Sequence, residues 1–134
     1  MAFECGALGY SNERSSLEAL KELLRYLESE DSTVSHDVVK EGESWAATTL
    51  KISRPGEVEI QQYVQVSVGG EILGFYLEDA RESLDEGVLS GRDLMFTTTL
   101  SGVTDPIVND RIMAYALSEW RGIAWDETSG FTSS

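Results

Sequence analysis

Reactive side chains are scarce in this chain: 134 residues include one cysteine, Cys5, and one histidine, His36. A lone cysteine forms no internal disulfide, which accords with a reducing compartment. One cysteine and one histidine far apart do not make zinc-ligand spacing. A nucleophilic triad has only His36 to use as a base, and no Gly-x-Ser-x-Gly elbow surrounds any serine. Cys5 lacks the electropositive neighbours that lower a thiol pKa. Glycine-rich phosphate loops of the dinucleotide-binding and Walker kinds are also missing. No apolar run approaches the ~18 residues of a membrane span. The opening "MAFECGALGYSNER" has neither the basic region nor the apolar core of a signal peptide. These absences lead to the expectation of a cytoplasmic chain that is not an enzyme, with no catalytic residue, cofactor or metal.

Positive charge is scarce too. Ten basic residues, only three of them lysine, face 24 acidic ones, for a net charge of −14. That lies well beyond the roughly 2 to 8 units advisable for a small domain. Such a field repels phosphate backbones and anionic lipid, so direct nucleic-acid binding and membrane-surface binding are not expected. Three uses of the excess remain: attraction of a basic protein partner, imitation of nucleic acid, or solubility in high salt.

The pattern of what is present predicts one α+β domain over residues 1–134. Residues 1–14 show no sustained period and read as an irregular lead-in. In "SSLEALKELLRYLESE", Ser15 and Glu18 stand at capping-box spacing, and Leu17, Leu20, Leu24 and Leu27 make an apolar stripe, so a helix is expected over about 16–29. Glu28, Glu30 and Asp31 crowd its negative end, where each exposed charge costs a few tenths to about 1 kcal/mol. A basic partner would relieve that cost.

A run of segments rich in Val, Thr, Ile and aromatics comes next, over 33–40, 44–53, 57–68 and 71–78, separated by "EGE", "RPG" and "GG". This is the signature of an antiparallel meander. With Gly69-Gly70 as a two-residue hairpin loop, Val64 faces Phe75 and Tyr63 faces Tyr76. With "RPG" as the other turn, Ile52 faces Val58 and Leu50 faces Ile60. Both turns put Leu50, Ile52, Val58, Ile60, Val64, Val66, Leu73, Phe75 and Leu77 on one inner face. The acidic stretch 78–93 reads as a helical turn and loop, and "LMFTTTL" as a fifth strand. A closing helix over about 106–121 has Asp105 as N-cap, Pro106 at its first position and Gly122 past its end. Residues 126–134 read as a frayed tail. The expected fold is thus an N-terminal helix, a four- to five-stranded antiparallel meander, and a C-terminal helix packed on one sheet face.

The outer face of that meander is the unusual feature. Parity places Trp45, Ala47, Thr49, Gln61, Tyr63, Gln65, Ile72 and Tyr76 there, uncharged in a chain full of carboxylates. Aromatics dominate interface cores, and surrounding charges steer encounter. The residues expected to bind a partner are therefore Trp45, Thr49, Gln61, Tyr63, Gln65, Ile72 and Tyr76. Glu28, Glu30, Asp31, Glu78, Asp79, Glu82, Asp85 and Glu86 form the expected electrostatic rim. The last five lack the ligand order and central glycine of a calcium loop. A further helix, the chain's own tail or a homodimer mate would cover the same face.

Helix, meander and closing helix together are similar in architecture to secretion chaperones and to immunity or inhibitor proteins, an analogy of architecture alone. The expected function is a small acidic module docking a basic protein partner, by nucleic-acid mimicry in one version. The alternative is a homodimeric ligand binder or enzyme with a pocket between sheet and helices, in which His36 would be the polar residue pointing inward.

Overall fold

Where the sequence suggests an irregular lead-in, the structure has a central strand, β1 (Phe3–Gly9), bonded on one side to β6 (Leu94–Leu100) and on the other to β7 (Ile123–Asp126). This computed structural model describes residues 3–100 and 104–131. Cys5 through Gly9 are all buried, so the segment lacks the polar alternation that marks a half-exposed strand.

Among the described residues, eight strands form one antiparallel sheet in the order β2-β4-β5-β6-β1-β7-β8, with β3 also paired to β4. The fold is α+β, with more strands than the expected meander and a strand rather than a helix first. The remaining strands are β2 (Val34–His36), β3 (Lys40–Glu41), β4 (Trp45–Ile52), β5 (Ile60–Val68) and β8 (Gly130–Phe131). Asp126 ends β7 and Phe131 is buried in β8, so the expected frayed tail is ordered as far as residue 131; residues 132–134 lie outside the described residues.

The inner sheet face carries α1 (Ser16–Glu30) and α4 (Pro106–Glu119). Both start where the caps require. Ser15 Oγ accepts from the Glu18 N–H at 3.1 Å, and Glu18 Oε1 accepts from the Ser15 N–H at 3.0 Å. Asp105 Oδ1 accepts from the Val108 N–H at 3.0 Å. Leu20, Leu23, Leu24 and Leu27 of α1 meet Leu50, Ile52, Val64, Val66 and Phe96 of the sheet, with Ile112 and Trp120 closing the core. Burying each such aliphatic side chain contributes about 1.5–3 kcal/mol.

The β4–β5 pairing corrects the expected register by two residues: Ile52 faces Ile60 and Leu50 faces Gln62. Two residues is one full side-chain period, so both faces survive the shift. Val58 drops out of the strand and is 88% exposed.

The larger correction is at Gly69-Gly70. Their φ angles of 68° and 78° turn the chain as anticipated. Past the turn the chain winds into a helix, α2 (Gly70–Ala80), and does not return as a strand. The free edge of β5 is already taken by β6, from Tyr63 opposite Thr99 to Val68 opposite Leu94, so no place is left for a hairpin partner. Leu73, Leu77 and Ala80 recur at helical spacing and pack onto Leu8 and Met95 of the outer sheet face, together with Leu84 and with Leu89 of the short helix α3 (Glu86–Leu89). Leu73 and Leu77 therefore sit opposite the face expected of them, and Phe75 is 71% exposed.

Candidate docking face

Helix α2 roofs only part of the outer sheet face. Register places Trp45, Ala47 and Thr49 of β4 beside Ser67, Gln65 and Tyr63 of β5, and these beside Met95, Thr97 and Thr99 of β6. Beyond them lie Glu4 and Leu8 of β1, then Ile123 and Trp125 of β7. Leu8, Met95, Ile123 and Trp125 lie in the cluster that α2, Leu84 and Leu89 cover, with Phe131 of β8 beside Trp125 in the sheet. The β4–β5 half stays open.

The open half is polar without being charged. Tyr63 is 41% exposed, and its hydroxyl donates to Gln65 Oε1 at 2.7 Å. Gln65 Nε2 in turn reaches Ser67 Oγ at 3.4 Å. Gln61 is exposed at the end of the row, where its Nε2 donates to Glu59 Oε2 at 3.2 Å. Charges stand around this row of side chains: Lys51 pairs with Asp37 at 3.5 Å at this margin, Asp37 and Lys40 flank the β3 side, and Glu43 and Glu71 the end near α2. Burial, with the Glu4 charge second, pushes the Tyr63 phenol above its ordinary pKa, so it remains a neutral donor.

Trp45 stands at the α2 end of the open half. Its indole folds over the turn between β3 and β4, where a Cβ on Gly42 would lie 2.1 Å from Nε1, so only glycine fits there. Trp45 lines two clefts. One, of about 460 Å³, is shared with Asp37, Val38, Lys40, Ala47, Thr49 and Tyr63; the other, of about 540 Å³, with Glu43, Ser44, Gly70, Glu71 and Ile72. Val38 is 80% exposed because the edge bulges between β2 and β3: Asp37 N–H donates to Thr49 O at 3.0 Å and Thr48 Oγ1 to Asp37 O at 2.9 Å.

Of the residues expected to bind a partner, Trp45, Thr49, Gln61, Tyr63 and Gln65 share this face. Ile72 reaches it from α2, as a wall of the second cleft. Tyr76 does not belong to it. Its hydroxyl donates to Glu4 Oε1 at 2.9 Å, and its ring meets Trp125 edge-on at 5.2 Å between centroids. Burial, then the hydrogen bond to Glu4, pushes its pKa far up, and Tyr76 serves as the pin that fastens α2 to β1. Glu4, Val38, Glu43 and Glu71 were not anticipated. Glu4 lies in the strand that periodicity hides, and Val38 reads as an ordinary strand position until the bulge exposes it.

The expected rim divides between the two faces. Glu78, Asp79, Glu82, Asp85 and Glu86 lie along and after α2 on the outer side, with Glu86 paired to Arg81 at 3.1 Å. Glu28, Glu30 and Asp31 end α1 on the inner side. Glu28 pairs with His36. Asp31 accepts from the Thr33 N–H at 3.0 Å and hydroxyl at 2.5 Å, and pairs with Arg54 at 3.2 Å and Arg111 at 3.5 Å. Arg54 Nε also donates to Asp105 at 2.8 Å, which ties the end of α1, the "RPG" turn and the start of α4 into one clasp. The Thr33 hydrogen bonds lead in holding the Asp31 carboxyl below its usual pKa, and the Arg54 hydrogen bond leads for Asp105. The molecule's own arginines thus do for Asp31 what a basic partner was expected to do.

His36 stands on the edge strand β2, exposed and beside α1, in a cleft of about 260 Å³ with Lys21, Leu24, Arg25, Glu28 and Val39. It does not point into the core. Among the buried polar groups on the inner side are Gln62 and Thr98: Gln62 Nε2 donates to Thr98 Oγ1 at 2.8 Å and Asn109 Oδ1 at 3.2 Å, and Thr98 donates to the Tyr63 carbonyl at 2.8 Å. Burial, with the Asp126 and Glu4 charges behind it, raises the pKa of Cys5, the opposite of an activated thiol.

Compared with protein-family models, curated protein sequences and solved structures, the chain gives no match. Among the described residues, no helix is long and apolar enough to cross a membrane, and no group of three or more His, Cys, Asp or Glu side chains is placed to hold a metal ion.

Proposed function

We propose that this chain is a small acidic protein-binding module of the cytoplasm that docks a basic protein on the open half of its outer sheet face. The observation that supports this best is the half-roofed face itself: a row of uncharged strand side chains from Trp45 to Tyr63, with two clefts that Trp45 lines, on a molecule of net charge −14. Aromatic anchors give such a face its affinity, and the surrounding carboxylates speed and select encounter. Inhibitor, immunity and chaperone-like roles all use a surface of this kind. Nucleic-acid mimicry is the version in which the partner's docking groove is built for phosphates.

A homodimer mate is the second reading for the same face, and charge speaks against it, since two copies at −14 repel. Light scattering at high protein concentration decides between them: a monomer is expected, and a dimer lost on Tyr63→Ala would establish the mate instead. For the basic partner, immobilised protein is exposed to cell extract at low and high salt, and captured proteins are identified by mass. A protein of high isoelectric point, released by salt and reduced at least tenfold by Trp45→Ala and by Tyr63→Ala, is the expected result. Capture that neither change weakens would remove the face from consideration.

A further inference from the structure

Trp45 stands where two clefts of unlike chemistry meet, and we infer that together they read a partner segment presenting an apolar side chain next to a lysine or arginine. The inference rests on the docking face proposed above and specifies its occupant. In the first cleft Val38, Thr49 and Tyr63 offer aliphatic, methyl and ring surface around about 460 Å³, over a floor that includes the buried Ala47. Asp37 and Lys40 in the same lining are of opposite sign, so the cleft has little net preference for charge. Val38 is left 80% exposed by the edge bulge, and an apolar side chain seated there would remove it from water.

The second cleft, of about 540 Å³, has Glu43 and Glu71 in its lining beside the indole. Among the described residues neither carboxylate has a lysine or arginine partner, whereas Glu22, Asp31, Glu86 and Asp105 each have one. Glu71 lies in the first turn of α2, where the helix's positive end takes up part of its charge. Glu43, in the turn before β4, shares the cleft lining with Gly70 and Glu71 of that helix end. An ammonium or guanidinium group entering this cleft gains charge-assisted hydrogen bonds to carboxylate and a cation–π contact with the indole. A second copy of the chain, itself strongly acidic, brings mostly the wrong charge.

The test uses the full chain and labelled synthetic hexapeptides, read by fluorescence anisotropy at low salt. Each peptide carries one leucine and one arginine at adjacent or alternate positions among glycine and alanine; controls replace arginine by citrulline, its uncharged isostere, or leucine by serine. At least one leucine–arginine peptide is expected to bind at least tenfold more tightly than its citrulline control. That ratio is expected to fall below threefold in the Glu43→Gln, Glu71→Gln double variant, whose changes are at exposed positions. Val38→Ser is expected to remove the leucine preference and leave the arginine preference in place. Equal binding of arginine and citrulline peptides, a ratio unchanged in the double variant, or no binding at millimolar peptide would overturn the inference. If the salt-sensitive capture of a basic protein still depends on Trp45 and Tyr63 in that event, the docking face stands and only the paired clefts fall.

Discussion

Arg121 takes the left-handed backbone conformation, φ 50°, at the position after α4 where glycine usually stands. The glycine is one residue late because it is needed there for another reason. A Cβ on Gly122 would come within 2.7 Å of Ala7 Cβ, so the chain can pass β1 only with no side chain at 122. Arg121 bears the strain in its place. Arg121→Gly should therefore raise stability by about 0.5–1 kcal/mol. Gly122→Ala should lower it by about 1–3 kcal/mol through overpacking against β1. Urea unfolding of the two variants checks both signs; a destabilising Arg121→Gly would show that its side chain matters more than its backbone. The same kind of constraint holds Trp45, which keeps its pose only while residue 42 lacks a side chain. Neither requirement is visible in the sequence, where Gly42 and Gly122 read as ordinary punctuation between elements.

At the scale of elements, the clasp of Asp31, Arg54, Arg111 and Asp105 joins α1, the β4–β5 turn and α4. Folding lowers both aspartate pKa values. Groups of this sign contribute stability that is present above the unfolded carboxylate pKa, about 3.9, and is lost as pH falls through the lower folded value. Asp105→Ala removes the helix cap and the Arg54 hydrogen bond together, and should cost about 2 kcal/mol at pH 7. Its deficit against the parent protein should shrink below about pH 4, where the parent loses the same contribution. Denaturant titrations at pH 7 and pH 3 measure this, and a deficit that stays constant would contradict it.

Elements whose evidence is local were legible in the sequence. The caps at Ser15 and Asp105 place α1 and α4, and alternation sorts β4 and β5 into faces even with the register two residues out. That parity is what brought Trp45, Thr49, Tyr63 and Gln65 together. Elements decided by competition for partners were not legible. "FECGALG" becomes a strand because β6 and β7 bond it from both sides, and "EILGFYL" becomes a helix because β6 already occupies the edge of β5. Ile72 still reaches the face, from the helix; Tyr76 was diverted to hold that helix down.

On the scale of the whole molecule, one charge should act in two opposite directions. At −14 the folded chain repels itself, and salt screens that repulsion, with a Debye length of about 10 Å at 0.1 M and 3 Å at 1 M. Raising salt from 0.05 to 0.5 M should lift the melting temperature by roughly 4 °C, about 1 kcal/mol. Over the same range it should weaken capture of a basic partner. Unfolding at low salt with full recovery only in molar salt would assign the acidity to a saline environment instead.

The central claim is that a basic protein sits on the β4–β5 half of the outer face, and a photocrosslinker tests it most directly. A benzophenone amino acid is placed at position 63, in that face, or at position 117, where Leu117 is 45% exposed on α4 on the far side of the sheet. Position 63 should crosslink a protein of high isoelectric point, and the yield should fall as salt rises. Position 117 should not crosslink it. Equal crosslinking from position 117, or a product at 63 consisting of two copies of this chain, would contradict the account.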